Sequence, residues 1–144
     1  MGTIQAPPLV EQLCFDLYAA SRAVTAAYRP ALTELGITYP QYLVLIVLWE
    51  HESLTVREMG EHLRLDHGTL TPLLKRMEAG GLVERRRDNV DERFVVVSLA
   101  AKGESLRQHA ERIHCDMVDQ LGLSTQEFEE LQGTLRVLTA RVSP

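Results

Sequence analysis

The run LTVREMGEHLRLDHGTLTPLLKRMEAGGLVERR, residues 54–86, constrains the fold more than any other part of the chain. Thr55 followed by Glu58 is a capping-box pattern that starts a short helix, and Asp66 is an N-cap for a second one. The second helix has an apolar stripe at helical spacing, formed by Leu70, Leu73, Leu74 and Met77, and ends at Gly80-Gly81. Two short helices joined by a tight turn predict a helix-turn-helix unit.

A β-hairpin is predicted directly after the two glycines. The strand-like runs LVERRR and FVVVSL flank the polar segment DNVDER, which has the composition of a turn. The hairpin would extend from the second helix as a wing. The predicted fold class is therefore mainly α with a small β-hairpin wing, a winged helix-turn-helix.

Helical segments precede and follow this module. A helix is predicted from about Leu9 to Leu35, bent at Pro30 and stopped by Gly36. The segment from about Pro40 to Glu50 is apolar on nearly every face, so we expect a central buried helix. Further helical patterns run from Ala101, with one segment carrying Leu106, Ile113, Met117 and Leu121, and a last helix opened by Ser124 and Glu127.

We expect a single domain over residues 1–144, in which residues 40–100 form the winged helix-turn-helix. The N- and C-terminal helices, about residues 9–36 and 101–141, are free to pack on each other or on a second subunit, and we expect them to form a dimerisation region. A content of 45% hydrophobic and 24% charged residues is typical of a globular chain and argues against disorder.

The sequence offers no apolar run near the roughly 18 residues that a membrane span needs, and no basic segment precedes an apolar one near the start. We therefore expect a cytoplasmic protein without a membrane partner. Two cysteines about a hundred residues apart do not make a disulfide framework, which leaves inert core thiols or redox chemistry.

The net charge of −5 hides an asymmetry that favours nucleic acid binding in the middle of the chain. Residues 55–100 hold eight Lys or Arg against eight Asp or Glu, so all the excess acid lies outside that stretch. Basic residues cluster there at Lys75-Arg76 and Arg85-Arg86-Arg87, with Arg93 following. A local positive face therefore survives an acidic average.

The second helix of the module is a candidate DNA probe. If its apolar stripe faces the core, the opposite side presents His67, Thr69, Thr71, Lys75 and Arg76, whose hydroxyls and cations suit base edges and phosphates. A solvated helix face is the alternative. The hairpin with Arg85, Arg86, Arg87 and Arg93 favours double-stranded DNA, because such a wing can place cations along the backbone or in the minor groove.

Two further features bear on this DNA interface. Asp91 lies two residues before Arg93 and could orient its guanidinium before DNA arrives, although a surface salt bridge of little consequence has the same pattern. One module reads a short half-site, so we expect a two-fold dimer that reads two half-sites.

Cys14 is the residue whose role the pattern alone leaves open. Tyr28 lies fourteen residues further on, near the same helix face but about 21 Å along the axis. If two such helices crossed antiparallel in a dimer, Tyr28 would approach Cys14 of the other subunit and Tyr39 could join it, and phenolic donors would favour a thiolate. We expect little contribution from the helix dipole, because the predicted helix starts well before Cys14. An inert buried thiol is the alternative.

The run from Leu13 to Leu99 closely resembles the organic hydroperoxide resistance regulators, a branch of the MarR family of winged-helix repressors. The resemblance covers LCFDLYAASR, YRPALTELGITYPQYLVLIVLWEHESLTVREMGEHLRLDHGTLTPLLKRMEAGGLVERRRDNVDERFVVVSL and is highly specific. It implies a dimeric repressor whose Cys14 is oxidised by organic hydroperoxides to a sulfenic acid, with Tyr28 and Tyr39 of the partner subunit holding the reduced thiolate. The probe helix (Asp66 to Arg76) and the wing (Asp91, Arg93) would engage an operator that controls a thiol peroxidase gene.

The same branch contains one-cysteine members, whose sulfenate is capped by a small thiol, and two-cysteine members that form an intersubunit disulfide. Cys115 lies in the region where the second kind has its other cysteine. The resemblance thus implies a disulfide between Cys14 and Cys115 of the other subunit, although the surroundings RIHCDMV match no fixed motif.

Two other classes of function remain as alternatives. One is a MarR-type regulator released by a small aromatic ligand in the dimer crevice, with the cysteines incidental. The other is a thiol peroxidase, which the lack of a dense set of acid, base and nucleophile disfavours, so we expect no enzyme. No cofactor is implied, and the spacing of His109, His114 and Cys115 fits no common zinc arrangement.

Overall fold

The computed structural model describes residues 5–144, which form two compact units, one ending at Ala110 and the other spanning Glu111–Pro144. Helices α1 (Leu13–Glu34) and α2 (Tyr39–His51) open the first unit. It continues with β1 (Ser53–Thr55), α3 (Val56–Leu63), α4 (His67–Ala79), β2 (Val83–Arg87), β3 (Val95–Leu99) and α5 (Ala101–Ser105). Helix α6 (Ala110–Leu121) starts at the boundary, and α7 (Thr125–Val142) follows. This architecture confirms the predicted winged helix-turn-helix.

Helix α1 starts later than the sequence predicts. Leu9–Glu11 form a single 3-10 turn, and Gln12 is extended at φ −96° and ψ 106° before α1 begins at Leu13. The Gln12 side chain donates to the Pro7 carbonyl, which holds this extended residue in place. The predicted stop at Gly36 is confirmed: its φ of 71° is left-handed, and the Gly36 and Ile37 amides close the helix end by donating to Thr33 and Leu32.

Helix α2 is the central element of the first unit, as its apolar composition predicts. Thr38 and Gln41 form a reciprocal capping box at its start. Six of its side chains are buried, namely Tyr42, Val44, Leu45, Val47, Leu48 and Trp49. The Trp49 indole donates a buried hydrogen bond of 3.1 Å to the Gly103 carbonyl, which ties α2 to α5.

The helix-turn-helix forms where the caps predict. Thr55 and Glu58 cap α3 reciprocally, and the Asp66 carboxylate accepts from the Thr69 amide at the start of α4. Between the helices Arg64 is left-handed at φ 54°, a conformation that closes α3 and redirects the chain. The predicted stripe on α4 is confirmed, because Leu70, Leu73, Leu74 and Met77 are all buried.

The wing is a three-stranded antiparallel sheet in the order β1-β3-β2, one strand more than the predicted hairpin. Strands β2 and β3 pair from Val83 with Leu99 to Arg87 with Val95, as the hairpin pattern predicts. Strand β1 escaped prediction because three residues are too few to show an alternating pattern. Its pairing of Leu54 with Val97 attaches the wing to the start of α3.

The C-terminal helices differ in detail from the predicted pattern. The single segment expected from Ala101 is divided into α5, a 3-10 turn at Leu106–His109, and α6. Helix α7 begins with the predicted capping box of Ser124 and Glu127, and none of its residues is buried. Between residues 5 and 144 no single helix is long and apolar enough to cross a membrane; α1 and α2 pass that test only as a pair bent by 76°.

Candidate DNA-contact surface and thiol site

The exposed face of α4 is the first part of the candidate DNA-contact surface. His67, Thr69, Lys75 and Arg76 are exposed on the side away from the buried stripe. Asp66 is exposed as well, but its carboxylate already accepts the Thr69 amide at 2.6 Å. This hydrogen bond lowers the pKa of Asp66 and keeps the side chain charged at the helix start. We therefore assign Asp66 first to capping and positioning α4.

Thr71 differs from its neighbours on α4. It is only half exposed, and its hydroxyl oxygen is shielded from solvent without a hydrogen-bond partner among the described residues. The helical period places residue 71 at the edge of the buried stripe, three positions before Leu74. In this conformation the Thr71 hydroxyl does not face a groove in the way that the sequence pattern predicts.

The three consecutive arginines of β2 differ in exposure and in their partners. Arg86 and Arg87 are exposed, and Arg87 donates to the Glu92 carbonyl across the wing. Arg85 is bound instead to Glu78 of α4: its backbone amide and its Nη2 each donate to the carboxylate at 3.0 Å. These bonds anchor the wing to α4 and leave the Arg85 side chain only 22% exposed, so its predicted DNA contact stays a prediction.

The wing tip holds Arg93 in a defined orientation, as the spacing from Asp91 predicts. The Arg93 Nε and Nη2 donate to the two carboxylate oxygens at 3.0 and 2.7 Å, and the Arg93 amide donates to the same group. These hydrogen bonds lower the pKa of Asp91 and raise the pKa of Arg93. Arg93 nevertheless stays 86% exposed, so a preoriented cation faces solvent at the tip.

Tyr28 and Tyr39, proposed as thiolate partners, lie next to each other in one chain. Their ring centroids are 4.9 Å apart, and Tyr42 lies 6.0 Å from Tyr28. Burial raises the pKa of both phenols, and in Tyr28 the neighbouring Tyr39 raises it further. Both hydroxyls therefore stay protonated near neutral pH and can donate hydrogen bonds. The sequence suggested both residues, but the close approach of their tilted rings depends on the turn between α1 and α2.

Cys14 is exposed and is the second residue of α1, not a residue inside a longer helix. The expectation that Cys14 lies beyond the first turn of its helix is therefore wrong, because α1 begins at Leu13. Tyr18, one turn further along the same face, is 61% exposed and lies 5.4 Å beneath the Arg22 guanidinium.

Cys115, in α6, is also exposed, and its α6 neighbours Ile113 and Met117 are buried. The stripe that includes Ile113 and Met117 orients α6 so that the cysteine lies off the buried side. Within this chain, neither Cys14 nor Cys115 is therefore the buried core thiol that the alternative interpretation requires.

A helix-turn-helix with a wing, exposed cations on α4 and a preoriented arginine at the wing tip defines a winged-helix DNA-binding protein. The family model described as transcriptional regulator SarA/Rot matches residues 26–110. An organic hydroperoxide resistance transcriptional regulator of Bacillus subtilis (strain 168) is 55% identical over 124 residues, which cover 86% of this chain and 82% of that protein.

Solved structures of other transcriptional regulators are similar to this chain. Reduced AbfR bound to DNA shares 39% identity, covers 90% of this chain and 93% of its own, and has a TM-score of 0.72; AbfR is a protein of Staphylococcus epidermidis. The disulfide form of AbfR has 41% identity, coverage of 90% and 91%, and a TM-score of 0.63. A MarR mutant from E. coli complexed with operator DNA, at 24% identity, coverage of 90% and 94%, and a TM-score of 0.77, shows the same fold.

These matches define the chain as a winged-helix transcriptional regulator and not an enzyme. The chain belongs to the MarR family, in the branch represented by the organic hydroperoxide resistance regulator of Bacillus subtilis.

Proposed function

We propose that the protein is a redox-sensing repressor that binds operator DNA as a homodimer when reduced and dissociates when organic hydroperoxide oxidises Cys14. The observation on which this proposal depends is the proximity of Tyr28 and Tyr39, whose ring centroids are 4.9 Å apart and whose pKa values are raised by burial, which keeps both hydroxyls available as donors. Cys14 belongs to the same helix as Tyr28 but lies about 21 Å away along its axis. The phenols can therefore reach only the Cys14 of a partner subunit.

Exposed apolar side chains support the homodimer. The start of the chain exposes Leu9, Val10, Leu13 and Phe15, and α7 exposes Leu131, Leu135, Val137 and Val142. Apolar groups of this size gain free energy when they leave water. A second copy of the chain offers the same surfaces in a self-complementary arrangement, as a two-fold interface requires.

The first chemical step is oxidation of the thiol. The Cys14 thiolate attacks the distal peroxide oxygen, the O–O bond breaks, and the alkoxide leaves with a proton as an alcohol. Sulfur is oxidised to sulfenic acid and the hydroperoxide is reduced. The phenolic donors of the partner's Tyr28 and Tyr39 would stabilise the anionic sulfur that attacks.

The second step forms an intersubunit disulfide. The Cys115 thiol of the partner subunit attacks the sulfenic sulfur, an S–S bond forms, and hydroxide leaves as water after protonation. A disulfide requires the two sulfurs to approach within about 2 Å, so any larger separation in the reduced dimer has to be closed by moving helices. A disulfide form has been solved for the relative AbfR, and this chain matches reduced, DNA-bound AbfR better, with a TM-score of 0.72 against 0.63.

Movement of these helices would change the spacing of the two DNA-reading heads. In the reduced dimer, His67, Thr69, Lys75 and Arg76 of α4 would enter the major groove, and Arg93 with Asp91 would reach the minor groove or backbone. Arg86 and Arg87 would add phosphate contacts. A two-fold dimer reads two half-sites about 34–36 Å apart, so a change in spacing weakens both together.

Electrophoretic shift with a duplex selected by the reduced protein tests the proposal. Wild type, Cys14→Ser and Cys115→Ser are each compared with and without cumene hydroperoxide, and intersubunit crosslinking is followed on non-reducing gels. We expect wild type to be released with a crosslinked band that dithiothreitol removes. Cys14→Ser should stay bound and uncrosslinked under oxidant.

Two matched variants sharpen the result. Tyr39→Phe keeps the ring but removes the donor, so it should slow oxidation without weakening DNA binding by the reduced protein. Cys115→Ser should fail to crosslink. If it is released reversibly and at the wild-type rate without added small thiol, the resolving role of Cys115 is wrong; if Cys14→Ser is released like wild type, redox sensing by Cys14 is wrong.

A ligand-released regulator is the second candidate, and one cleft favours it. A cavity of about 510 Å³ between the end of α1 and the start of α2 is lined by Arg29, Leu32, Ile37 and Tyr39 among others. Its volume falls in the range of small-molecule sites. Under this alternative an aromatic acid would release DNA equally well from wild type and from Cys14→Ser.

A further inference from the structure

A second basic surface lies beside α4, outside the residues that the proposed function uses. A cleft of about 480 Å³ at the helix-turn-helix turn is lined by Arg57 of α3, Arg64 of the turn and His67 of α4. Val56, Leu65 and Leu70 supply an apolar part of the same lining, and Glu61 contributes a carboxylate. The cleft is continuous with the exposed face of α4 because both include His67.

The turn holds Arg64 in a fixed position. Its main chain is left-handed, and its amide closes α3 on the Gly60 carbonyl. A Cβ added at Gly60 would lie 2.9 Å from the Leu65 carbonyl oxygen, so the two segments of the turn are already in close contact. The Arg64 side chain is exposed, and among residues 5–144 no carboxylate forms an ion pair with it.

The second arginine is held only weakly. Arg57 pairs with Glu61 at 3.5 Å, and the two side chains are 77% and 67% exposed. Exposed pairs of this kind contribute little and are screened by salt. Arg57 can therefore exchange Glu61 for a stronger anion at small cost.

The chemistry of the cleft fits a strand of nucleic acid. A DNA backbone alternates phosphate anions with deoxyribose rings, which present apolar faces, and this cleft offers two arginines together with aliphatic side chains. In helix-turn-helix proteins the first helix crosses the backbone while the second enters the major groove. We propose that Arg57 and Arg64 bind the phosphates that flank the base pairs facing α4, an inference that depends on the proposed operator binding.

The number of phosphates bound is measured by the salt dependence of the affinity. Each lost phosphate contact reduces the slope of log K against log salt concentration by about 0.9, and a dimer loses two contacts per substitution. Arg64→Asn removes the charge, and asparagine tolerates the left-handed backbone at this position. We expect the slope of this variant to fall by about two, with equal loss on a selected duplex and on poly(dI-dC).

Two controls accompany this variant under dithiothreitol. Arg64→Lys keeps the charge and should keep most of the slope. Arg107→Asn removes another exposed arginine, which lines a different cleft with Trp49 and β3, and should leave the slope unchanged. Arg57→Ala should reduce the slope as Arg64→Asn does.

The outcomes separate this inference from the proposed function. A wild-type slope in Arg64→Asn, with thermal unfolding also at the wild-type temperature, would overturn the phosphate site while leaving operator binding intact. A loss confined to the selected duplex would assign Arg64 to base recognition and would overturn it as well. Failure of the reduced wild type to bind either duplex would overturn both.

Discussion

The winged module and the last helix contain the same types of apolar residue but bury them to very different extents. In the module, Leu45 of α2, Met59 of α3, Leu74 of α4 and Val97 of β3 are completely buried. In α7 the leucines and valines recur at helical spacing, yet none of its residues is buried within the chain. The module completes its own core, whereas α7 presents an apolar surface that a single chain leaves in water.

This difference separates folding from assembly. A module with a closed core keeps its shape when its neighbours move, so it can act as a rigid reading head. Helices with uncovered apolar faces gain stability from association, so their arrangement depends on the partner. Under the proposed function, a redox change at such helices would alter the spacing of the two heads without unfolding them.

Truncating leucines in the two regions is the strongest test of this contrast. Leu74→Ala removes a fully buried side chain and should lower the free energy of unfolding by about 2–5 kcal/mol. Leu131→Ala removes one that is 49% exposed, so it should mainly weaken association. Denaturation at several protein concentrations distinguishes the two. Equal losses that do not depend on concentration would show that α7 is already covered within one chain.

Two glycines provide a second contrast of smaller size. A Cβ at Gly103 would meet the Leu82 carbonyl oxygen, so Gly103→Ala should destabilise the module by about 1–3 kcal/mol. A Cβ at Gly133 in α7 meets no atom within 4 Å, so Gly133→Ala should stabilise that helix by about 0.5–1 kcal/mol. Chemical denaturation of both variants measures these effects. Destabilisation by Gly133→Ala would indicate that the partner subunit packs against this position.

Helix caps provide a third comparison. Thr55→Ala removes the hydroxyl that accepts the Glu58 amide at the start of α3, and should cost about 1 kcal/mol. Ser124→Ala removes the equivalent cap of α7. Thr55→Ser, which keeps the hydroxyl, is the matched control for the first and should stay close to wild type. If Ser124→Ala costs more than Thr55→Ala in thermal unfolding, α7 contributes more to stability than its exposure indicates.

The smallest effect we expect is that acid weakens the caps of α3, α4 and α7. Hydrogen bonds from Thr55, Thr69 and Ser124 lower the pKa of Glu58, Asp66 and Glu127 respectively. Their contribution is therefore present above the ordinary carboxyl pKa values of 4.5 and 3.8, and is lost as the pH falls through the lowered ones. The melting temperature should decrease in that window. Asp66→Asn keeps the cap without the titration, so a curve as steep as wild type would contradict this origin.

Local signals in the sequence identified much of the candidate site. The caps at Thr55, Asp66 and Ser124 and the stripe on α4 depend on neighbours within one or two helical turns, so their spacing along the chain is sufficient to find them. The pairing of Asp91 with Arg93 is local in the same sense. Arg85 could not be assigned in this way, because its partner Glu78 lies on another element and is brought near by the turn at Gly80-Gly81.

The amino-acid sequence by itself determined the helix-turn-helix, the wing and the family, because periodicity, caps and turns are short-range properties. Only the tertiary structure decided which arginines are free, that α1 begins one residue before Cys14, and that the rings of Tyr28 and Tyr39 lie next to each other. Those features depend on how helices, strands and turns come together: Glu78 reaches Arg85 across the turn at Gly80-Gly81, and Tyr28 meets Tyr39 across the turn between α1 and α2. Their geometry follows from how the elements pack, and the order of residues does not encode it in any local pattern.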